Sequence, residues 1–267
     1  MATASAVGAA APAAHGGHGA FAAAAPAAAF DGKAAIALSQ AAVGRTPRDA
    51  VFTTADGRRV RLSDFRGKPV VVSLIYTSCA HVCPATTRHL AKAVRAVRAA
   101  LGDDSFTVLT IGFDSANDTP AAMERFARQQ NARMAGWEFL SADRATIEQV
   151  AADLGFLFVE SAKGFDHMAQ ATVLRADGSV YRQIYGVNFE MPMLGEPLKE
   201  LVYDTPPNAS LLSHLGNRVK LFCTVYDAAA DRYVFDYSLF IGLAVGGLSL
   251  GSLGFLVGRE LRRRPRG

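Results

Sequence analysis

Cysteine is scarce, at three in 267 residues. That is too few for a disulfide-stapled scaffold, and the second pair that a four-thiolate zinc ribbon needs is missing. Surplus basic charge is scarce as well. The formal net charge is +4, and the five arginines of residues 259–267, set against Glu260, account for all of it. The rest of the chain is formally neutral, which excludes a nucleic-acid-binding face. The first thirty residues hold no lysine or arginine and no leucine-rich centre; they are mostly Ala, Gly and Pro, with His15 and His18. They lack the basic start and apolar core of a secretory signal, although Ala27-Ala28-Ala29 could serve as a cleavage region. Residues 1–47 read as a low-complexity N-terminal segment, its two histidines at most a weak metal site. Repeats of solenoid length are absent too.

Long apolar runs are also few, and one stands out. Leu239 to Gly258 is twenty residues without a charge, bounded by Asp236 and Arg259. As a helix it would cover roughly 30 Å, the thickness of a bilayer's hydrocarbon core. Its glycines suit a membrane helix better than a soluble one, and the arginine cluster behind it marks a cytoplasmic side. The expectation is a transmembrane helix over 237–258 with a basic cytoplasmic tail, 259–267. The preceding domain would then lie on the periplasmic side of a bacterial-type inner membrane, crossed once.

Two of the cysteines sit at a junction. Val70 to Tyr76 is short, β-branched and nearly all apolar, the pattern of a strand buried on both faces. After Cys83 the apolar residues Leu90, Val94 and Val97 recur at helical spacing, and Pro84 fits a first helical turn. Cys79 and Cys83 are therefore carried where a central strand hands over to a helix. Four residues apart, their sulfurs share one side of a turn, able to converge on a soft ion or, with distortion, close a disulfide. Orphan N–H groups at a helix start favour a thiolate. The plainer alternative is two buried cysteines acting as small hydrophobes.

The rest of the chain reads as an α/β fold. A short helix is expected within 30–46, and Asp56-Gly57 turns a hairpin between 51–54 and 58–62. Strands follow at 106–113 and 137–140, with helices at 118–126 and 143–154 and a strand start at 156–159. A second hairpin turns at Asp177-Gly178 between 171–175 and 180–185, and a helix closes at 194–203. This order implies a thioredoxin-like domain over 48–203 with an N-terminal hairpin. Pro206-Pro207-Asn208 marks a boundary, and 204–236 reads as a juxtamembrane segment with a small hairpin.

A metal held by two thiolates needs a third ligand. His167, expected in a loop before the late hairpin, is the best candidate, with Asp166 able to orient its imidazole or balance charge. His81, His89 and His214 compete. A solvated loop histidine is the ordinary alternative.

With these residues in view, the chain resembles the Sco/SenC family of copper-delivery proteins. The resemblance rests on Tyr76-Thr77-Ser78-Cys79 through Cys83-Pro84, on Phe113-Asp114 with Asp118-Thr119-Pro120, and on Asp166-His167 followed by Asp177-Gly178. It covers about residues 48–203. It implies a thioredoxin-like copper chaperone whose ligands are Cys79, Cys83 and His167. It also implies a partner, the copper-accepting subunit of cytochrome c oxidase, and delivery to that enzyme's binuclear CuA site rather than enzymatic turnover. Ala80 and His81 stand where many members have Pro and Asp, and the expected anchor is C-terminal where members often carry it at the N-terminus. Cys223 has no counterpart in the motif and reads first as a buried small residue, then as a free thiol or accessory ligand. The alternative is a membrane-tethered thiol–disulfide oxidoreductase using Cys79 and Cys83, which the spacing of the pair and the distal histidine disfavour. A thiol peroxidase, with Thr77 assisting Cys79, is a third reading that the nearby Cys83 disfavours.

Overall fold

The computed structural model describes residues 29–203 and, beyond them, 216–217, 219–221, 223–227, 230 and 232–263. His15, His18, His214, the Pro206-Pro207-Asn208 boundary and the last four residues lie outside the described residues. The chain opens with α1 (Gly32–Ala41) and the hairpin β1 (Val51–Thr54) and β2 (Arg59–Arg61). Then follow β3 (Val70–Ile75), α2 (Val82–Leu101), β4 (Thr107–Gly112), α3 (Pro120–Gln129), β5 (Trp137–Ser141) and α4 (Arg144–Asp153). The strands β6 (Phe158–Ser161), β7 (Gly164–His167), β8 (Gln170–Leu174) and β9 (Val180–Tyr185) lead to α5 (Met191–Tyr203). Beyond it come β10 (Thr224–Asp227), β11 (Arg232–Phe235) and α6 (Ser238–Arg263).

Seven strands form one sheet in the order β2-β1-β5-β4-β3-β8-β9. The centre is parallel, β3 with β4 and β4 with β5, while β1, β8 and β9 run antiparallel to their neighbours. Every residue of β3, β4 and β8 is buried, as expected of largely apolar, β-branched strands in a sheet covered on both faces. Helix α2 turns Cys83, Leu90, Val94 and Val97 inward, the stripe expected from their spacing. Helix α1 also belongs to this body, because Ser39 is fully buried and its Oγ meets the Tyr185 hydroxyl at 2.8 Å. The expected thioredoxin-like arrangement is therefore observed.

Two departures concern the C-terminal part and the segment that bears His167. Residues 158–167, expected as a strand start and a loop, are a two-stranded sheet of β6 with β7. The C-terminal pair β10–β11 does not stand off from the domain. The Lys199 Nζ of α5 donates to the Thr224 carbonyl at 2.8 Å and pairs with Glu196 at 2.7 Å. Helix α6 is present and its apolar side chains are exposed, Leu248 at 73% and Phe255 at 69%. Among the described residues, however, no helix is long and apolar enough to cross a membrane.

Candidate metal centre

The site begins where β3 ends. Tyr76 follows the strand, its carbonyl accepts from the Cys79 N–H at 3.2 Å, and α2 starts at Val82. The turn between them is pinned from beneath by Asp118. Thr77 donates both its N–H and its hydroxyl to Asp118 Oδ1, each at 2.7 Å, and the Asp114 N–H donates to Oδ2 at 2.9 Å. Asp118 and Thr119 both have side chains suited to cap α3; Thr119 takes the role, its Oγ1 accepting from the Ala122 N–H at 3.3 Å. Asp118 is thereby free for the cysteine turn. Burial pushes its carboxyl up, and the donors from Thr77 and Asp114 pull the other way. Thr77 spends its hydroxyl here, which removes it as an assistant to Cys79 in the peroxidase reading.

The two cysteines meet at the start of α2. Cys83 N–H donates to Cys79 Sγ at 3.3 Å, while the N-cap residue His81 makes no side-chain cap. The sulfur thus takes the place that a capping oxygen ordinarily fills. Burial raises the Cys79 thiol, but the Cys83 and His81 N–H groups, the Cys83 thiol and the Tyr76 hydroxyl outweigh it, and its pKa falls below the ordinary value. Cys83 is buried, and burial drives its thiol strongly upward, with the neighbouring Cys79 adding to the rise. One sulfur is half-exposed and primed, the other buried and reluctant; both are free thiols.

His167 ends β7, paired across the ribbon with Phe158. Its ring lies in an aromatic nest, with centroids 5.3 Å from Phe113, 5.4 Å from Phe156 and 6.0 Å from Tyr76. Burial lowers its pKa, against weaker upward pulls from the Met168 carbonyl and Asp166. Nδ1 is 3.1 Å from the Met168 carbonyl oxygen. That carbonyl can only accept, so Nδ1 carries the proton and Nε2 keeps its lone pair. The carbonyl therefore orients the ring. Asp166, expected in that role, is exposed on the ribbon, as alternation along a strand dictates.

The other candidates are placed elsewhere. His89 Nε2 is 2.7 Å from the Phe189 carbonyl and its ring is edge-on to Phe189, while His81 is exposed. Cys223 is buried, as a small apolar residue would be. Among the described residues, no group of three or more His, Cys, Asp or Glu side chains stands gathered as a ready metal cage. Cys79 and Cys83 are brought together. His167 shares their end of the sheet through Tyr76, without closing on the sulfurs. Sequence reasoning gave no role to Tyr76, Asp118 or the Met168 carbonyl, although Tyr76 and Asp118 both stand in the runs that carry the resemblance.

Comparison with known proteins now bears on this arrangement. A family model described as SCO1/SenC matches residues 43–200. The SCO1 protein homolog of Bacillus subtilis is 26% identical over 140 residues, covering 51% of this chain and 72% of that protein. The mitochondrial SCO2 homolog of Bos taurus is 32% identical over 150 residues, covering 53% of this chain and 54% of that protein. Among solved structures, copper-bound ScoI of Bradyrhizobium japonicum is 23% identical with a TM-score of 0.50, covering 58% of this chain and 99% of that one. That last likeness is one of fold.

Proposed function

Because the chain belongs to the SCO1/SenC family, we propose that it binds copper as cargo through Cys79, Cys83 and His167 and delivers it to the CuA site of cytochrome c oxidase. The observation that carries this reading is the Cys79 sulfur seated on the Cys83 N–H at the start of α2, beside a ribbon that bears a neutral, half-buried imidazole. Two thiolates and an imidazole suit low-coordinate Cu(I), and such a soft set rejects Mg and Ca. Copper in ScoI, a protein of the same fold, agrees with that chemistry. Binding needs deprotonated sulfurs, so the reduced dithiol loads and the disulfide does not. The lowered Cys79 thiol loses its proton first, and the Cys83 proton leaves as the ion arrives. Movement of the ribbon then closes His167 onto the pair.

The charge-free run 239–258 with its arginine tail supports a single-pass inner-membrane tether that holds the domain on the periplasmic side. Titrating Cu(I) into the full-length protein in detergent tests the ligand set. Wild type binds one ion with Cu–S bonding in its X-ray absorption spectrum, and His167→Ala binds roughly 10- to 100-fold more weakly. Absent Cu–S bonding overturns the reading. Loss of CuA copper in a strain lacking the protein tests delivery.

A second reading draws on the same asymmetry. A primed, half-exposed Cys79 beside a buried, reluctant Cys83 is also the layout of a nucleophile and a resolving thiol in disulfide exchange. Reduction of a partner's cysteines would then turn over with a dithiol reductant and survive His167→Ala. Copper delivery predicts no such turnover.

A further inference from the structure

The ribbon that carries His167 forms a sheet separate from the main one. Two strands of four residues are marginal in water on their own and need a packed face to persist. Their face here is aromatic. Phe158 and Phe165 lie 4.9 and 5.3 Å from Phe113, and Phe165 lies 5.3 Å from Tyr76.

Phe113 offers the ribbon a ring alone. Tyr76 offers more. Its ring is edge-on to the His167 imidazole, and its hydroxyl stands within hydrogen-bonding reach of both the Phe165 N–H on β7 and the Cys79 sulfur. Gly164 makes room for it. There φ is +111°, and a Cβ would lie 3.2 Å from the Tyr76 oxygen and 3.3 Å from its ring. A bare glycine at the start of β7 therefore lets the strand settle onto the phenol. Tyr76 also continues β3, and its carbonyl fixes the Cys79 N–H. One buried side chain thus touches the strand that bears the imidazole, the imidazole itself and the primed sulfur.

We propose that Tyr76 is a positioning residue for metal binding, propping the β6–β7 ribbon so that His167 faces the Cys79–Cys83 turn. It never touches the cargo, and the proposal rests on His167 being a ligand. The step is one of placement, with no bond formed or broken at the phenol.

A double-mutant cycle on the full-length protein in detergent separates the two claims. Cu(I) affinity, read by competition with a chromophoric chelator, is compared for wild type, Tyr76→Phe and Tyr76→Leu, each with and without His167→Ala. Tyr76→Leu is expected to weaken binding about 10-fold when His167 is present and less than about 2-fold when it is absent. Tyr76→Phe keeps the ring and the fold and is expected to lose roughly 3-fold, again only with His167 present. Equal losses in both backgrounds, or no loss in either, overturn the proposal. A His167→Ala protein that binds as tightly as wild type overturns the ligand assignment instead. Amide exchange in the metal-free protein gives a readout free of copper. Tyr76→Phe should speed exchange at Phe165 and His167 and leave β4 unchanged, whereas a general loss of stability would speed both and count against the proposal.

Discussion

The two cysteines differ because one sulfur replaces a helix cap and the other is packed beneath it. Backbone donors can hold Cys79 as a thiolate, whereas at Cys83 burial outweighs the backbone donor from Tyr76. At pH 8 iodoacetamide should label Cys79 more than about 10-fold faster than Cys83, as counted by peptide mass spectrometry. Equal rates would mean that the cap-like contact does not persist in solution. Asp118 has a structural debt of a different kind. Asp118→Ala would leave the Thr77 and Asp114 donors of a buried turn unpaired, at a cost of about 2–3 kcal/mol in urea unfolding. The cysteine pair was legible in the sequence because strand, turn and helix are all local there. The task of Asp118 was not, since its partner Thr77 lies in another loop and a helix-capping role explained the residue equally well.

The β6–β7 ribbon was the least legible element. Phe158-Val159-Glu160-Ser161 and Gly164-Phe165-Asp166-His167 are too short to display a period, and only the surrounding rings make them strands. Its dependence on Tyr76 and Gly164 predicts that Gly164→Ala is harmful. A side chain at φ +111° would press on the phenol and should destabilise the domain by about 1–2 kcal/mol. The buried imidazole adds a pH dependence. Burial holds the native His167 pKa below the ordinary 6.5, so the folded state resists the proton. Its share of stability is complete above about pH 6.5 and is lost as pH falls through the lower native value. Urea midpoints of the metal-free protein should therefore drop from pH 7 to pH 5, and drop less in His167→Gln. Identical slopes would place the imidazole in water.

At the scale of the molecule, the alternation of strands and helices was enough to read the sheet, because each buried strand is a short, mostly apolar or β-branched run between turn residues. How the C-terminal pair sits could not be read that way. It depends on a glycine in α5 whose significance is an absent side chain: a Cβ on Gly195 would overlap the Tyr233 ring of β11. Lys199, with its stem buried and its ammonium on the Thr224 carbonyl, ties the same contact. This docking makes β10–β11 a collar on the domain, seated against α5. Its test turns on a sign. Glycine within a helix ordinarily gives way to alanine with a gain of about 0.5–1 kcal/mol. In a chain ending at Tyr203, Gly195→Ala should raise the melting temperature accordingly. In the full chain the same substitution should lower it and speed proteolysis between residues 204 and 236, because the collar is pushed off. A gain in both chains would mean that β11 does not rest on α5.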